Sequence, residues 1–447
     1  MSPHQAFRRV WPWTSTRSRG RNAAGAVVDR LLAHATGFAI WKRNADLARL
    51  LGRARTLVLV TGTNGKSSTA YLIEQILARA GRWPIRNRDG ANLVDGLSTT
   101  LSRALFTSRR PVVLEVDEGS LPRVVPPARP SVFVLTNIFR DQLDRYGEVD
   151  AIASRIRQAV DATPDGCVIA ANADDPVVAD IAMQSGRRVV FFGLDLPDGG
   201  APSPSADSVL CPRCSAVLAF SRASLSHLGH YRCPDCDFSR PLPAVAATGR
   251  MRDGLGGVSV EIGGMEVSTP LVGIHGLYNA LAAMAAVRTL GIPDTVSADA
   301  LRIACPMPGR SEWIEHAGRR VFLGLVKNPA GFEAMAGALE SVERPRHVLL
   351  LLNDRPADGR DVSWIWDAEF GIFQGDRIWI GGSRSEALAL RLKYAGVEVS
   401  TRAMREHAVA FETAVAGTPR EEALYVLMNY TAMLDLFGCL GKGLLPA

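Results

Sequence analysis

The segment Thr61–Ser68, TGTNGKSS, gathers residue types that handle phosphate. Gly62 and Gly65 let backbone N–H groups approach an anion closely, and a helix starting here adds positive potential. Lys66 can neutralise charge on a β- or γ-phosphate, and the Ser67 hydroxyl can ligate Mg2+. The general phosphate-loop pattern has a glycine five residues before Gly65. Val60 stands there, so the match is to a shorter form, GTNGKS. A purely structural glycine turn is the plain alternative, and the strand and helix on either side of the segment argue against it.

A second set is sulfur. Cys211-Pro-Arg-Cys214 and Cys233-Pro-Asp-Cys236 are separated by 18 residues. Two such knuckles can set four thiolates tetrahedrally around one Zn2+. Four ligands leave no open position, so the expected zinc is structural. A nucleic-acid-binding ribbon is the sharper alternative, since Arg213, Arg232 and Arg240 lie close by. A small basic knuckle is usually solvated surface, and no nucleic-acid partner is expected. His227 and His230 receive no role. Of the seven cysteines, Cys167, Cys305 and Cys439 are scattered. An odd count without a signal peptide points to a reducing cytosol and against a disulfide framework.

A third set is acidic. Asp354, Asp358 and Asp361 fall within eight residues, after the apolar run Leu349–Leu352. Carboxylates on such a strand-end loop can orient a base or hold a metal. Equally, each could be a solvated turn residue or a helix cap.

These residues need elements to hold them. Thr56–Val60 reads as a buried strand and Ser67–Ala80 as a helix closed by Gly81, one βα unit of an α/β fold. Further strands are expected at Pro111–Val116, Ser131–Leu135, Gly166–Ala170 and Arg188–Phe192, with helices between several of them. Leu196–Leu210 is a linker by composition, and a cysteine-bearing insertion follows at Val209–Arg240. Helical spacing appears at Val27–Leu51 and at Tyr278–Leu290. A second α/β pattern begins near Ser311, with strands at Val321–Leu325, His347–Leu352 and Arg377–Ile380. The main boundary is read at Pro308–Arg310, and no internal repeat is present. The expected organisation is a basic tail and helix over 1–50, an ATP-binding domain over 51–310 with its zinc insertion at about 205–245, and a smaller α/β domain over 311–447.

A chain of 447 residues, 47% apolar, has material for several cores and is no disordered chain. A formal charge of +6 suits an anionic substrate, nucleic acid or a membrane face without choosing among them. The absence of any long apolar run predicts no transmembrane helix. The first 22 residues hold five arginines, Trp11 and Trp13, no acid and no apolar signal-peptide core. They read as a solvated tail or as a contact for anionic lipid.

The phosphate segment resembles the ATP loop of the Mur ligases and folylpolyglutamate synthases. Four further segments agree in order. LEVDEGS, with Glu115 and Glu118, matches the stretch of the magnesium-binding glutamate. TNIFRDQLDRYG (Thr136–Gly147), with Asn137, is similar to the TN-x-x-x-DHLD segment. GIHGLYNALAA (Gly273–Ala283), with Asn279, resembles the asparagine-bearing helix start. PMPGRSE (Pro306–Glu312), with Arg310, resembles the GR-x-E junction into the last domain. The resemblance implies a Mur-ligase-like central ATPase domain that binds ATP and Mg2+ through Thr61, Gly62, Thr63, Asn64, Gly65, Lys66, Ser67, Ser68 and the residues just named. Departures are Gln142 for the usual histidine, Gly276 for the first asparagine, and LVKNPAG (Leu325–Gly331) for a DYAHNP-like segment. The roughly 55 residues before the loop strand are too few for the separate UDP-sugar domain of Mur ligases.

LVKNPAG, the four-cysteine insertion, the Asp354 loop and NYTAMLDL (Asn429–Leu436) together resemble the MurT family, whose members work with a GatD glutaminase. That resemblance implies ATP-dependent amidation of the α-carboxyl of D-glutamate in the lipid II stem peptide. It implies catalysis by Lys66 here and by Asp354 as the acid of the partner's triad, with Asp358 and Asp361 as substitutes. It also implies a cytoplasmic enzyme working at the inner face of the membrane. Cys167, Cys305 and Cys439 sit in no nucleophile elbow, so this chain lacks its own glutaminase. The alternatives are a folylpolyglutamate-type amino-acid ligase and a nucleotide-gated zinc-ribbon module on nucleic acid.

Overall fold

The computed structural model describes residues 56–441, except 88–91, 94–95, 98–99, 101–103, 105–109, 142–148 and 204–205. The basic N-terminal segment, the expected helix Val27–Leu51 and Gln142 lie outside the described residues.

The phosphate segment is launched by β1 (Leu57–Thr61), every residue of which is buried. Val58 and Val60 face one core, Leu57 and Leu59 the other. A strand covered on both faces has no polar side, which is why LVLVT reads as an unbroken apolar run. Parallel neighbours β3 (Val112–Glu115) and β4 (Val132–Leu135) flank it. The sheet continues through β2 (Ile85–Arg86) on one side and β5 (Val168–Asn172), β6 (Arg188–Asp195) and β9 (Val245–Gly254) on the other. Antiparallel β10 (Gly257–Ile262) and β11 (Met265–Thr269) complete nine strands. β9, β10 and β11 were not anticipated. β10 and β11 alternate more and less buried residues, β9 does so only at its start, and charged side chains such as Arg250, Glu261 and Glu266 dilute the apolar signal.

Helices cover both faces. α1 (Lys66–Arg79) and α5 (Gly273–Arg288) share one core. α5 starts earlier than its apolar spacing suggests, and its alanines are buried all round. The other face holds α2 (Leu121–Ala128), α3 (Val149–Asp161) and α4 (Pro176–Gln184). α6 (Asp294–Arg302) packs at the edge of the first core.

The cysteine segment carries the hairpin β7 (Ala219–Leu225) and β8 (Leu228–Arg232). After a turn at Gly309, a second sheet runs in the order β12 (Glu312–His316), β13 (Arg319–Leu325), β16 (Ala423–Met428), β14 (His347–Leu351), β15 (Arg377–Gly381). Only β12 is antiparallel. α7 (Pro329–Glu340) and α8 (Ser385–Tyr394) pack on one face, α9 (His407–Gly417) and α10 (Tyr430–Cys439) on the other. No helix among the described residues is long and apolar enough to cross a membrane.

Candidate active site between two sheets

Open α/β sheets bind ligands beyond the carboxyl ends of their strands. Here two such ends face one cavity of about 760 Å³. Its walls include Thr63–Ser68 after β1, Glu115, Asp117 and Glu118 around the end of β3, and Asn137, Phe139 and Asp141 after β4. The second sheet contributes Lys327 after β13, Ala357 and Arg360 after β14, and Tyr430 after β16.

The loop after β1 is shaped by close backbone approach. Gly62 has φ 127°, and a Cβ there would fall 2.2 Å from Thr136 Oγ1. Gly65 has φ 84° and precedes α1; a Cβ there would meet Asn279 Oδ1 at 2.0 Å. Both positions demand glycine for space as well as for backbone angle. Asn137 fixes the loop: its carbonyl accepts from Thr63 N at 2.8 Å and its Oδ1 from Asn64 N at 2.8 Å. Thr61 Oγ1 donates to Val116 O at 2.9 Å, and Thr69 Oγ1 to Asn279 Oδ1 at 3.3 Å. Ser67 and Ser68 line the cavity at the start of α1.

Lys66 Nζ donates to Gly62 O at 2.6 Å and to both Glu118 oxygens at 3.0 and 3.1 Å. Burial opposes its charge, but Glu118, Asp117 and Glu115 outweigh that and raise its pKa. Glu118 is raised too, chiefly by burial, with Lys66 opposing and Asp117 adding to it. Three carboxylates thus crowd one ammonium in a buried pocket. Such a surplus beside the Ser67 hydroxyl fits a divalent cation, which prefers hard oxygen ligands. Glu115 also accepts from Asn92 Nδ2 at 3.3 Å. Arg310 lines the same wall, and its guanidinium makes no hydrogen bond or salt bridge among the described residues; burial lowers its pKa while Glu115 supports its charge.

The second sheet closes the site with residues to which the sequence reading gave no role. Asn328 and Asn64 exchange two side-chain hydrogen bonds of 3.1 Å. Asn328 also caps α7 through Gly331 N at 2.8 Å. Lys327 Nζ donates to Thr63 O at 3.2 Å and to Asp141 Oδ2. LVKNPAG carried a family resemblance but no cue to the roles of Lys327 and Asn328, because their partners Thr63, Asp141 and Asn64 lie in another domain.

The three aspartates after β14 separate. Asp358 is buried and accepts from both the backbone N and Oγ1 of Thr431, pinning the start of α10. Burial pushes its carboxyl pKa up. Asp361 is exposed and accepts from Ser363 N at 2.8 Å. Asp354 keeps 35% of its side chain exposed, with Ser383 Oγ donating to it at 2.8 Å and Arg384 3.7 Å away. Ser383 is held in turn, its backbone N donating to the buried Asn353 Oδ1 at 3.0 Å. Asp354 does not line the phosphate cavity, although Pro356, Ala357 and Arg360 of the same loop do.

The sulfur atoms of Cys211, Cys214, Cys233 and Cys236 all lie within 4.8 Å of one another. Cys211–Cys236 is 3.7 Å and Cys214–Cys233 3.4 Å. A tetrahedral zinc with Zn–S of about 2.3 Å requires S···S near 3.8 Å, so the donor set fits. The knuckle packs on α4 through Leu218, Tyr231 and Phe238. Arg213 donates to Asp180 at 3.0 Å, and Tyr231 to Ala173 O at 3.0 Å. His230 Nε2 lies 2.8 Å from Leu194 O, while the ring of buried His227 packs against Phe139 at a tilt of 52°. The cysteines stand apart from the phosphate cavity.

A glycine loop with its lysine, carboxylates beside it, and a second α/β domain closing over both define a Mur-type, ATP-dependent ligase. The family comparisons agree with this. The Mur ligase middle domain matches residues 60–200, and the MurT ligase C-terminal domain matches residues 325–433. The lipid II isoglutaminyl synthase (glutamine-hydrolyzing) subunit MurT of Staphylococcus aureus (strain COL) is 32% identical over 363 residues, covering 80% of this chain and 82% of that one. Its Streptococcus pneumoniae namesake is 32% identical over 397 residues, covering 87% and 88%. In three dimensions, a pseudomurein peptide ligase type C from Methanothermus fervidus is similar, with TM-score 0.67, 21% identity and coverage of 90% and 80%. The chain belongs to the MurT family.

Proposed function

We propose that this chain is the synthetase subunit of a lipid II amidating enzyme. It converts the α-carboxyl of D-glutamate in the stem peptide to the amide of D-isoglutamine, at the cytoplasmic face of the membrane. The observation that carries this reading is that the family match extends over 325–433, the part that holds both LVKNPAG and the Asp354 loop.

A carboxylate is a poor electrophile, so the γ-phosphoryl group of ATP is transferred to it first, giving an acyl phosphate. The backbone of Thr61–Gly65 cradles the phosphates, with Ser67 and Ser68 at the helix start. Lys66 stabilises charge on the transferring group. Asn137 and Asn279 hold the loop in shape, and Arg310 offers a free guanidinium to the nucleotide. Glu115, Glu118 and Ser67 would hold Mg2+, which supplies charge neutralisation at the phosphates. Ammonia then displaces phosphate. A GatD-like glutaminase delivers it, with Asp354 completing the partner's Cys–His pair from outside the cavity. The four cysteines hold a structural Zn2+.

The test is mass spectrometry of lipid II incubated with this chain, the glutaminase, ATP and glutamine. The expected product has one carboxyl exchanged for an amide. ATP turnover that requires an added amino acid in place of ammonium would instead support a folylpolyglutamate-type ligase.

A further inference from the structure

Asp141 has no part in the phosphoryl transfer just described, yet its position is demanding. The residue is only 8% exposed and lines the cavity between the two sheets. Oδ2 accepts from Lys327 of the second sheet. Oδ1 is buried and has no hydrogen-bond partner among the described residues. Leaving a buried acceptor unmatched is destabilising, and more so for a charged one. The same Lys327 ammonium reaches Thr63 O at 3.2 Å, so Asp141 is tied to the wall of the phosphate loop. A residue on the cavity wall, next to the phosphate loop, therefore holds one carboxylate oxygen without a donor.

The co-substrate of an amidating ligase is such a donor. Ammonium is a small cation with donors only, and it must lose a proton before nitrogen can attack. We propose that Asp141 Oδ1 binds the incoming ammonium and accepts its proton, while Lys327 holds the carboxylate through Oδ2; this rests on the amidation reading above. Ammonium gives one proton to Asp141 and becomes ammonia. The nitrogen lone pair forms the C–N bond at the acyl carbon. The C–O bond to phosphate breaks, and phosphate leaves with that electron pair. The new C–NH3+ group passes a proton to phosphate, leaving the neutral amide, and Asp141 returns its proton to solvent. A carboxylate positioned this way is a general base, worth about 10²–10⁴-fold.

The experiment uses the full chain with lipid II, ATP and ammonium chloride, without glutaminase. In Asp141→Asn, the KM for ammonium at about pH 7 should rise at least tenfold, and the rate should climb about tenfold per pH unit with free ammonia, more steeply than in the unaltered protein. Positional isotope exchange in labelled ATP, which reads acyl-phosphate formation alone, should persist. Hydroxylamine, a nucleophile already neutral at this pH, should restore much of the turnover. Lys327→Met breaks the same ion pair but keeps the carboxylate, so it separates a base from a structural bridge. If Asp141→Asn and Lys327→Met lose isotope exchange alike, the pair is a bridge or serves the magnesium shell, and the proposal is overturned. It is overturned equally if Asp141→Asn keeps the unaltered ammonium KM and pH slope. Absence of any conversion by the unaltered protein would sink the amidation reading, and this inference with it.

Discussion

Two loops leave the carboxyl ends of parallel strands, one in each sheet, and their surroundings are opposite. The loop after β1 is enclosed. Its lysine is buried against Glu118, its backbone is bound to Asn137, and Asn328 of the other sheet reaches across to Asn64. The loop after β14 turns one carboxylate outward. Asp354 rests on Ser383 with a third of its side chain in solvent, while Asp358 anchors the loop from beneath. Under the proposed function, this contrast is a division of labour. Phosphoryl transfer needs a water-poor cavity in which fixed charges act strongly. A residue that serves another subunit must stay reachable and still be oriented.

The largest effect should come from the enclosed loop. Lys66→Ala should lower ATP-dependent amidation about 10³-fold or more with either glutamine or ammonium as nitrogen source, with unchanged circular dichroism. Near-normal rates would dissolve the contrast altogether. Asp354→Asn should act on one nitrogen source alone. Glutamine-driven turnover should fall about 10³–10⁴-fold, as when a triad acid is lost, while high external ammonium bypasses the defect. Equal loss with both sources would move Asp354 into the synthetase site, and no loss would turn attention to Asp361.

The cysteine knuckle belongs to neither loop and provides a control. Cys211→Ser with Cys214→Ser should remove one zinc per chain and lower the unfolding temperature by several degrees, because binding free energy at such a site is folding free energy. Zinc-free natural protein by elemental analysis would refute the metal.

Enclosure also predicts a pH dependence. Burial lowers the pKa of His275, on the cavity wall, to about 4, against 6.5 in the unfolded chain. Neutral imidazole thus favours the folded state above about pH 6.5, and the contribution is lost as pH falls toward 4, about 3 kcal/mol in all. Urea unfolding at pH 7 and pH 5 should show this loss, and His275→Gln should flatten it. An unchanged slope would mean that water reaches the ring. The smallest effect concerns the bridge between the sheets. Asn328→Ala removes a helix cap and the Asn64 pair, and should cost about 1 kcal/mol of stability with a raised KM for ATP. A fall in kcat alone would argue that the bridge acts on chemistry rather than on closure.

Legibility followed the kind of signal. β1, β3, β4 and β14 were readable because strands buried on both faces are continuous apolar runs. The antiparallel β9–β11 were not, since one face is polar and their pairing is set by the rest of the sheet. The cysteines were readable because two close pairs preset two corners of a tetrahedron. Among the aspartates, spacing offered three carboxylates on one loop and the family resemblance put Asp354 first; burial and hydrogen-bond partners show how differently the three are held.

Local sequence by itself determined the glycine turn, the lysine at the head of α1, the sulfur set and the alternation of strands and helices. Each depends on spacing over a few residues, where backbone geometry fixes which groups meet. Tertiary structure decided which residues join them. Lys327 meets Thr63 across 264 positions of sequence, and Asp141 is held by that lysine. Such contacts depend on how two separately folded sheets dock, and docking is governed by surfaces assembled from the whole chain.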